Sequence, residues 1–552
     1  MRIFSVVSYP MSKTNQPFEG KLKPRNFMRP EKVKPLFAYR DFVSYSPLKK
    51  VFEGYKNLSY TLPVHNEGIL QKMKSKYCVE DFKNLYNFAK SKGTFDYTLD
   101  SEKGTVKTSQ INIKENHLMS SLIWVTDSCH NIDLVKDKNP EACTKVFNRL
   151  ADFYEGQKAN FAKVFENPEK YAENRLWDNE FGVGHVFTPA TNKEHHWFAY
   201  TRLESLGNYL RVGSELITEG FNGAKYGYKT AEDVPQTVVD SMANITRYLK
   251  EINYPQAPSC GAWEENTFQK SLTSDTAIIN EAMRKLNKLM FSETENIELI
   301  KLRERMLNSE NGDVFKDKIA LDNLLKQGEK RIEKFHFVES PRADFKIEED
   351  WQKRFYNRKS DSAMAFAPQT EIFKSGSVVK DALAKIDMLK SIEKDLVKEN
   401  GALRYIGDEY INLDYHTLKD KSRDNKRTNE AEWFLVSEFA KAYGSVAKDI
   451  MNDIKSNGTS WQKEKILEFT MAKQTEYINR SYARITPKGM TKSNGYSCPA
   501  YKLPEAYEAV TTKKGVKYVP GAHTPLTWAE TSLDSASKQF MENLKQYESL
   551  IK

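Results

Sequence analysis

Cys260-Gly261-Ala262-Trp263-Glu264-Glu265-Asn266 sets an indole directly before two adjacent carboxylates. Two acids side by side raise each other's pKa when they are partly withdrawn from water. A carboxyl held protonated near neutral pH is what a general acid needs. The flat apolar face of the neighbouring indole suits the C–H side of a sugar ring. The plainer reading is a solvated Glu-Glu pair at a helix start, where the helix dipole favours anions. The rest of the chain decides between the two.

The chain has 552 residues, 39% hydrophobic and 29% charged, enough for one large core or several smaller ones. No apolar run approaches a membrane span. The opening Met1–Pro10 has one basic residue and a short apolar patch, a poor signal peptide. The net charge of +9 is dispersed among interspersed acids and bases, with no block resembling a nucleic-acid arm or a membrane patch. Five cysteines, Cys78, Cys129, Cys143, Cys260 and Cys498, are far apart and form no C-x-x-C, which points to reduced thiols and a cytoplasmic protein. His195-His196 belongs to no H-E-x-x-H, and P-loop, G-x-G-x-x-G and G-x-S-x-G patterns are missing. Neither a metal site nor a cofactor is expected.

Residues 1–110 carry Pro10, Pro17, Pro24, Pro30, Pro35 and Pro47, which break helices before they grow. This region is expected to be an irregular N-terminal extension with short strands and one helix near Val79–Lys90, packing on the domain that follows. From about residue 111 to 552 the apolar spacing turns helical. Helices are expected over Ala142–Phe165, Leu203–Ile217, Val234–Ile252, Asp275–Met290, Leu299–Met306 and Lys316–Phe335. Further helices fall over Val378–Val397, Glu430–Ile454, Trp461–Ala483 and Leu526–Leu550, with two more near Ser121–Val135 and Lys359–Ala367. The charged stretch 292–346 has the composition of an inserted pair of solvated helices. Long connecting loops rich in Gly, Pro and aromatics are where functional residues tend to sit.

Five of the eight tryptophans fall in segments that combine aromatics with charge. The first is L-I-W-V-T-D-S with Trp124 and Asp127, and the second is H-H-W-F-A-Y-T-R-L-E-S-L-G with Trp197, Arg202 and Glu204. The third is C-G-A-W-E-E-N. The fourth runs from L-R-Y-I-G-D-E-Y to E-A-E-W-F-L, with Arg404, Asp408 and Trp433. The last runs from Y-K-L-P-E-A-Y to H-T-P-L-T-W-A-E, with Glu505 and Trp528. Such clustering favours a carbohydrate site, although tryptophan is also ordinary core material. Glu505 alone could be a helix-start carboxylate. Arg404 could simply pair with Asp408, and Arg202 with Glu204. Trp528 suits a core.

In this order the segments resemble glycoside hydrolase family 15, the glucoamylases and glucodextranases, with the related regulatory subunits of phosphorylase kinase. The family shows W-x-R-D-S, W…R-x-D/E-x-L-G, W-E-E, then R-Y-x-x-D-x-Y followed by W-F-L, and L-P-E or S-E-Q ahead of a closing helix. Each motif is weak alone; five in order across residues 118–540 are specific. The resemblance implies a mainly α chain folded as an (α/α)6 barrel, with its site in loops at one end. It implies that Glu264 is the general acid and Glu505 the general base of an inverting, exo-acting hydrolase that needs no cofactor. Its substrate would be an α-glucan or oligosaccharide, cut at the non-reducing end to release glucose. Glu265 would bind a hydroxyl in the neighbouring subsite and help keep Glu264 protonated. Asp127 and Arg404 would grip the terminal glucose, and Trp124, Trp197, Trp263 and Trp433 would wall the pocket. Inversion requires the two carboxyls to stand about 6.5–9.5 Å apart, leaving room for a water.

One position departs from the pattern. Thr126 stands where the family carries the arginine of W-x-R-D. A hydroxyl cannot replace a five-donor fork. A basic residue from another loop takes its place, or affinity for plain glucose ends is lower, or the substrate differs. The L-P-E-x-Y form around Glu505 is also that of the kinase regulatory subunits, so two other readings stand beside the first. One is a glucan-binding or regulatory protein without catalysis, against which the lack of a long C-terminal extension argues. The other is a hydrolase of trehalose or isomalto-linkages.

Overall fold

The computed structural model describes residues 63–97, 99–100, 104–106, 108–109, 122–173, 181–194, 201–263, 271–340, 360–406, 408, 430–512 and 515–550. All of them lie in one unit, Ser59–Lys552. Glu264, Glu265 and Trp197 lie outside the described residues, as do residues 1–62 and the strands expected there.

Outer and inner elements alternate along the chain. The outer layer is built from α1 (Val79–Ser91), α3 (Ala142–Glu155), α5 (Gln236–Glu251), α7 (Lys318–Phe335), α8 (Val378–Leu396) and α10 (Trp461–Ala483). The inner layer is built from α2 (Val125–Lys138), α4 (Leu203–Phe221), α6 (Thr273–Phe291), a 3-10 helix (Ser362–Gln369), α9 (Val436–Asn457) and α11 (Thr527–Leu550). Each inner element packs on the next, α2 on α4, α4 on α6, α6 on the 3-10 helix, then α9 and α11, and α11 closes the ring on α2. This is the (α/α)6 barrel that the resemblance implies.

Amphipathic spacing explains why the layers form. In α4 the apolar face includes Leu206, Tyr209, Leu210, Leu216 and Ile217, all buried. Phe147 of α3 stacks on Tyr209 with ring centroids 4.5 Å apart. Side chains of this size each contribute about 1.5–3 kcal/mol when removed from water. Gly207 lets α4 approach α6, because a Cβ there would lie 3.2 Å from the Cα of Ile279.

Helix α1 falls within the first 110 residues yet stands in the outer layer. Phe82 meets Phe540 of α11 edge-on at 4.8 Å, and the Tyr77 hydroxyl donates to Asn479 Oδ1 of α10 at 2.8 Å. In the stretch 292–346, charge describes only one face of the helices. Leu321, Leu324 and Ile332 of α7 are buried, and α7 packs along α6.

Three expected helices differ in detail. Ala142–Phe165 is interrupted at Gly156-Gln157 and resumes as Lys158–Glu166. Ser362–Gln369 is a 3-10 helix with Pro368 inside it, which removes a donor the α-helical ladder would use. Glu430–Ile454 begins as a strand, and the helix starts only at Val436. Strands are short: β1 (Leu99–Asp100), β2 (Thr105–Val106), β3 (Ile123–Trp124), β4 (Val186–Phe187), β5 (Glu432–Trp433), β6 (Ala506–Thr512) and β7 (Gly515–Pro520). They pair antiparallel as β1 with β2, β3 with β4, and β5-β6-β7.

Candidate active site

The inner elements bring their N-terminal ends to one rim. First-turn residues meet across the ring. Thr126 of α2 bonds Ser205 of α4 at 2.8 Å, and Ser437 of α9 bonds Ser532 of α11 at 2.6 Å. Trp263, ahead of α6, donates its Nε1 hydrogen to Asp361 Oδ1, the cap of the 3-10 helix, at 2.7 Å. Convergent helix N-termini present unpaired amides and positive dipole ends, which favour carboxylates and polar ligands.

On one side of the rim the side chains are aromatic and cationic. Trp433 in β5 exchanges both backbone hydrogen bonds with Ala402, at 2.7 and 3.0 Å, and pairs with Ala506 of β6 on its other edge. This double pairing is why Glu432–Trp433 is a strand and not the first turn of α9. The Trp263 and Trp433 rings lie 6.1 Å apart at 44°. The Arg404 guanidinium sits 4.4 Å from the Trp433 centroid and 5.9 Å from that of Trp263, within cation–π range of both. It also holds Asp408 through two bonds, Nε to Oδ2 at 2.7 Å and Nη2 to Oδ1 at 2.5 Å. Glu505, half-buried, is next to this cluster. Its carbonyl accepts from Phe434 N at 3.0 Å and its N–H donates to His523 O at 3.1 Å. It stands directly before strand β6 and not at a helix start.

The other side carries buried acids and hydroxyls. The Thr126 hydroxyl donates to Glu204 Oε2 at 2.8 Å, and Arg202 Nε donates to Glu204 Oε1 at 2.5 Å. A guanidinium therefore stands beside Thr126, joined to it through one carboxylate. Asp127 is buried in the first turn of α2, and Trp124 packs in β3 with its ring 5.9 Å from His185. Asp275, in the first turn of α6, is 2% exposed, and burial, followed by the charge of Glu204, pushes its carboxyl up to about 7. Glu339 caps α6, accepting from Ser274 N at 3.0 Å. Burial and then the neighbouring Asp361 raise its pKa as well.

Near this end of the barrel, rings from three inner elements stack together. His130 of α2 stacks on Trp528 of α11 at 5.3 Å and 12°, and Phe366 of the 3-10 helix stacks on the same indole at 6.2 Å and 16°. Burial pulls the imidazole pKa down to about 3, so His130 is a neutral part of this stack. A small cavity is lined by Thr126, Glu204, Ala262, Asp275, Phe366 and Trp528 among others.

Of the residues expected at the site, Trp263, Arg404, Trp433 and Glu505 come together on one side. Trp124 and Asp127 lie on the other, close in the chain to Thr126, which lines the cavity. Arg202 with Glu204, and Arg404 with Asp408, form the ion pairs that their spacing allows. Asp275, Glu339 and Asp361 were missed. Asp275 carries a signal in the sequence, since an acid after Thr273-Ser274 marks a helix start, and Asp361 ahead of Ser362 carries that of a cap; Glu339 acts on Ser274, 65 residues away, which local spacing does not show.

No family model matches the chain, and neither does any curated protein. Solved structures do. A glucoamylase from Saccharomycopsis fibuligera is 12% identical, covers 90% of this chain and 99% of its own, and superposes with a TM-score of 0.51. A structure described as "Glycosidase Wild Type" is 10% identical, covers 85% of this chain and all (100%) of its own, and gives 0.47. The chain thus has the (α/α)6-barrel fold of that glucoamylase.

Proposed function

We propose that the protein is an inverting, exo-acting glycoside hydrolase of glucoamylase type, releasing glucose from the non-reducing ends of α-glucans without a cofactor. The observation that carries this reading is the group Trp263–Arg404–Trp433 beside Glu505, together with the stack of His130, Trp528 and Phe366, which we take as the pocket's floor. A blind pocket with aromatic walls admits a chain end and not the middle of a polymer. In this reading Glu264 protonates the leaving oxygen and Glu505 takes a proton from the attacking water. Glu265 and Asp127 bind sugar hydroxyls, and Trp124 and Trp197 complete the walls. Arg202 supplies the positive charge that Thr126 does not.

A second reading is a glucan-binding protein without turnover. The bidentate hold of Asp408 on Arg404 favours it, because two of the five guanidinium donors are already engaged. Proton NMR on maltotetraose separates the two. The first reading expects β-glucose as the earliest anomer and near-silence from Glu505→Gln. Early α-glucose overturns the assigned acid and base. Binding of maltotetraose, isomaltotetraose and trehalose without release of sugar from any of them establishes the second.

A further inference from the structure

Arg484, at the end of α10, is 1% exposed, and its guanidinium meets main-chain carbonyls instead of a carboxylate. Nη1 donates to Asn400 O and to Glu432 O, the latter at 3.0 Å, and Nη2 donates to Pro504 O at 3.3 Å. The ring of Tyr507 lies 5.2 Å from the guanidinium carbon, and the Tyr507 hydroxyl donates back to Arg484 O at 2.9 Å. Burying a charge without a direct ion pair is costly. The three carbonyls explain where that charge is used. Pro504 precedes Glu505, Glu432 precedes Trp433, and Asn400 begins the loop that runs to Arg404. Three segments distant in sequence, each bearing one site residue, are tied to a single planar fork.

The packing around the fork leaves no slack. A Cβ on Gly401 would come within 2.3 Å of both Arg484 Nη1 and Trp433 O, so the loop must carry glycine there to reach the fork. Burial lowers the guanidinium pKa only to about 10, so it keeps its charge at neutral pH.

We propose that Arg484 is a positioning residue for the catalytic base, fixing the Pro504–Glu505 peptide against β5 and the Asn400–Arg404 loop. This rests on Glu505 being the base. Trp433 keeps its pairings with Ala402 and Ala506 when Arg484 changes, whereas the Pro504 carbonyl loses its side-chain hold. Loss of the fork therefore falls on turnover more than on binding.

The test compares Arg484→Lys, Arg484→Ala and Gly401→Ala with Glu505→Gln, using maltotetraose as the substrate. An ammonium cannot span the three carbonyls, so Arg484→Lys should lower kcat about 100-fold, as displacements of roughly 1 Å can, with KM changed by less than about threefold. Arg484→Ala removes a positive charge one peptide from the base, so the acidic limb of its kcat/KM profile should move to higher pH. Millimolar guanidinium should restore part of its turnover. Folded Arg484 variants with wild-type kcat and an unmoved acidic limb overturn the proposal. So does a loss that only tracks the fall in Tm. Should Arg484→Ala fail to fold, Gly401→Ala keeps the arginine and displaces it, and must show the same kcat loss. Full activity in Glu505→Gln is a different failure, because it removes the base itself.

Discussion

The two sides of the rim are built from opposite materials. Around Trp263, Arg404, Trp433 and Glu505, aromatic faces and a cation stand on loops and a short strand between the helices. Around Thr126, Glu204, Asp275 and Glu339, acids and hydroxyls fill the first turns of α2, α4 and α6. The strand side is placed largely by backbone pairing, and in the proposed reading its aromatic faces are what meet a ligand. On the helix side Thr126, Arg202 and Glu204 bond one another and Glu339 bonds Ser274, so these side chains are committed to the fold. Changes on the strand side should therefore appear first in turnover, and changes on the helix side first in stability.

The largest expected effect tests the strand side. Glu505→Gln should lower maltotetraose hydrolysis about 1,000-fold, the middle of the range for a lost general base, with Tm unchanged to within a few degrees. A variant that keeps a tenth of the activity places the base elsewhere. Arg404→Ala should blur the contrast, because it takes the guanidinium away from the buried Asp408 carboxylate. A destabilisation of about 3–5 kcal/mol is expected in urea unfolding. The double variant with Asp408→Ala should recover part of it, and no recovery means the pair is not coupled.

The helix side makes a pH prediction. Folded Asp275 titrates near 7, while an unfolded aspartate titrates near 3.9. From about pH 4 to 7 the folded state keeps a proton that the unfolded state releases, so stability falls as pH rises and levels off above that window. Asp275→Asn should remove this slope, gaining about 1–3 kcal/mol over wild type at pH 8 and little at pH 4. Equal gains at both pH values would refute the assignment. Thr126 gives the smallest effect. Thr126→Val should cost about 1 kcal/mol for its lost bond to Glu204, and Thr126→Ser less than about 0.5 kcal/mol. A cost above 3 kcal/mol from the serine would show that the methyl, and not the hydroxyl, is what matters there.

The helical part of the fold was legible because apolar spacing survives in long elements. Trp461–Ala483 matches the expected boundaries, and Val378–Leu396 falls one residue short. What was not legible depended on partners distant in sequence. Nothing local shows that Trp433 would be claimed by Ala402 and Ala506, or that Glu505 would stand directly before a strand paired with Gly515–Pro520. Helix α1 was legible near Val79–Lys90, but not its place in the outer layer, because its partners Asn479 and Phe540 lie far off in the sequence. Motif order had grouped Trp263 with Arg404, Trp433 and Glu505, which the structure brings together, whereas Glu339 was not legible because it bonds Ser274, 65 residues away.

The proposed reading takes the stack of His130, Trp528 and Phe366 as the floor of a pocket with one mouth. In the proposed hydrolase, a released sugar sits between that floor and the remaining polymer. It can leave only after the shortened chain has backed out of the same mouth. Each cut then requires a full dissociation, so the enzyme would be non-processive. Long and short glucans would be trimmed by independent encounters, and their shortened products would accumulate together from the first minutes of reaction.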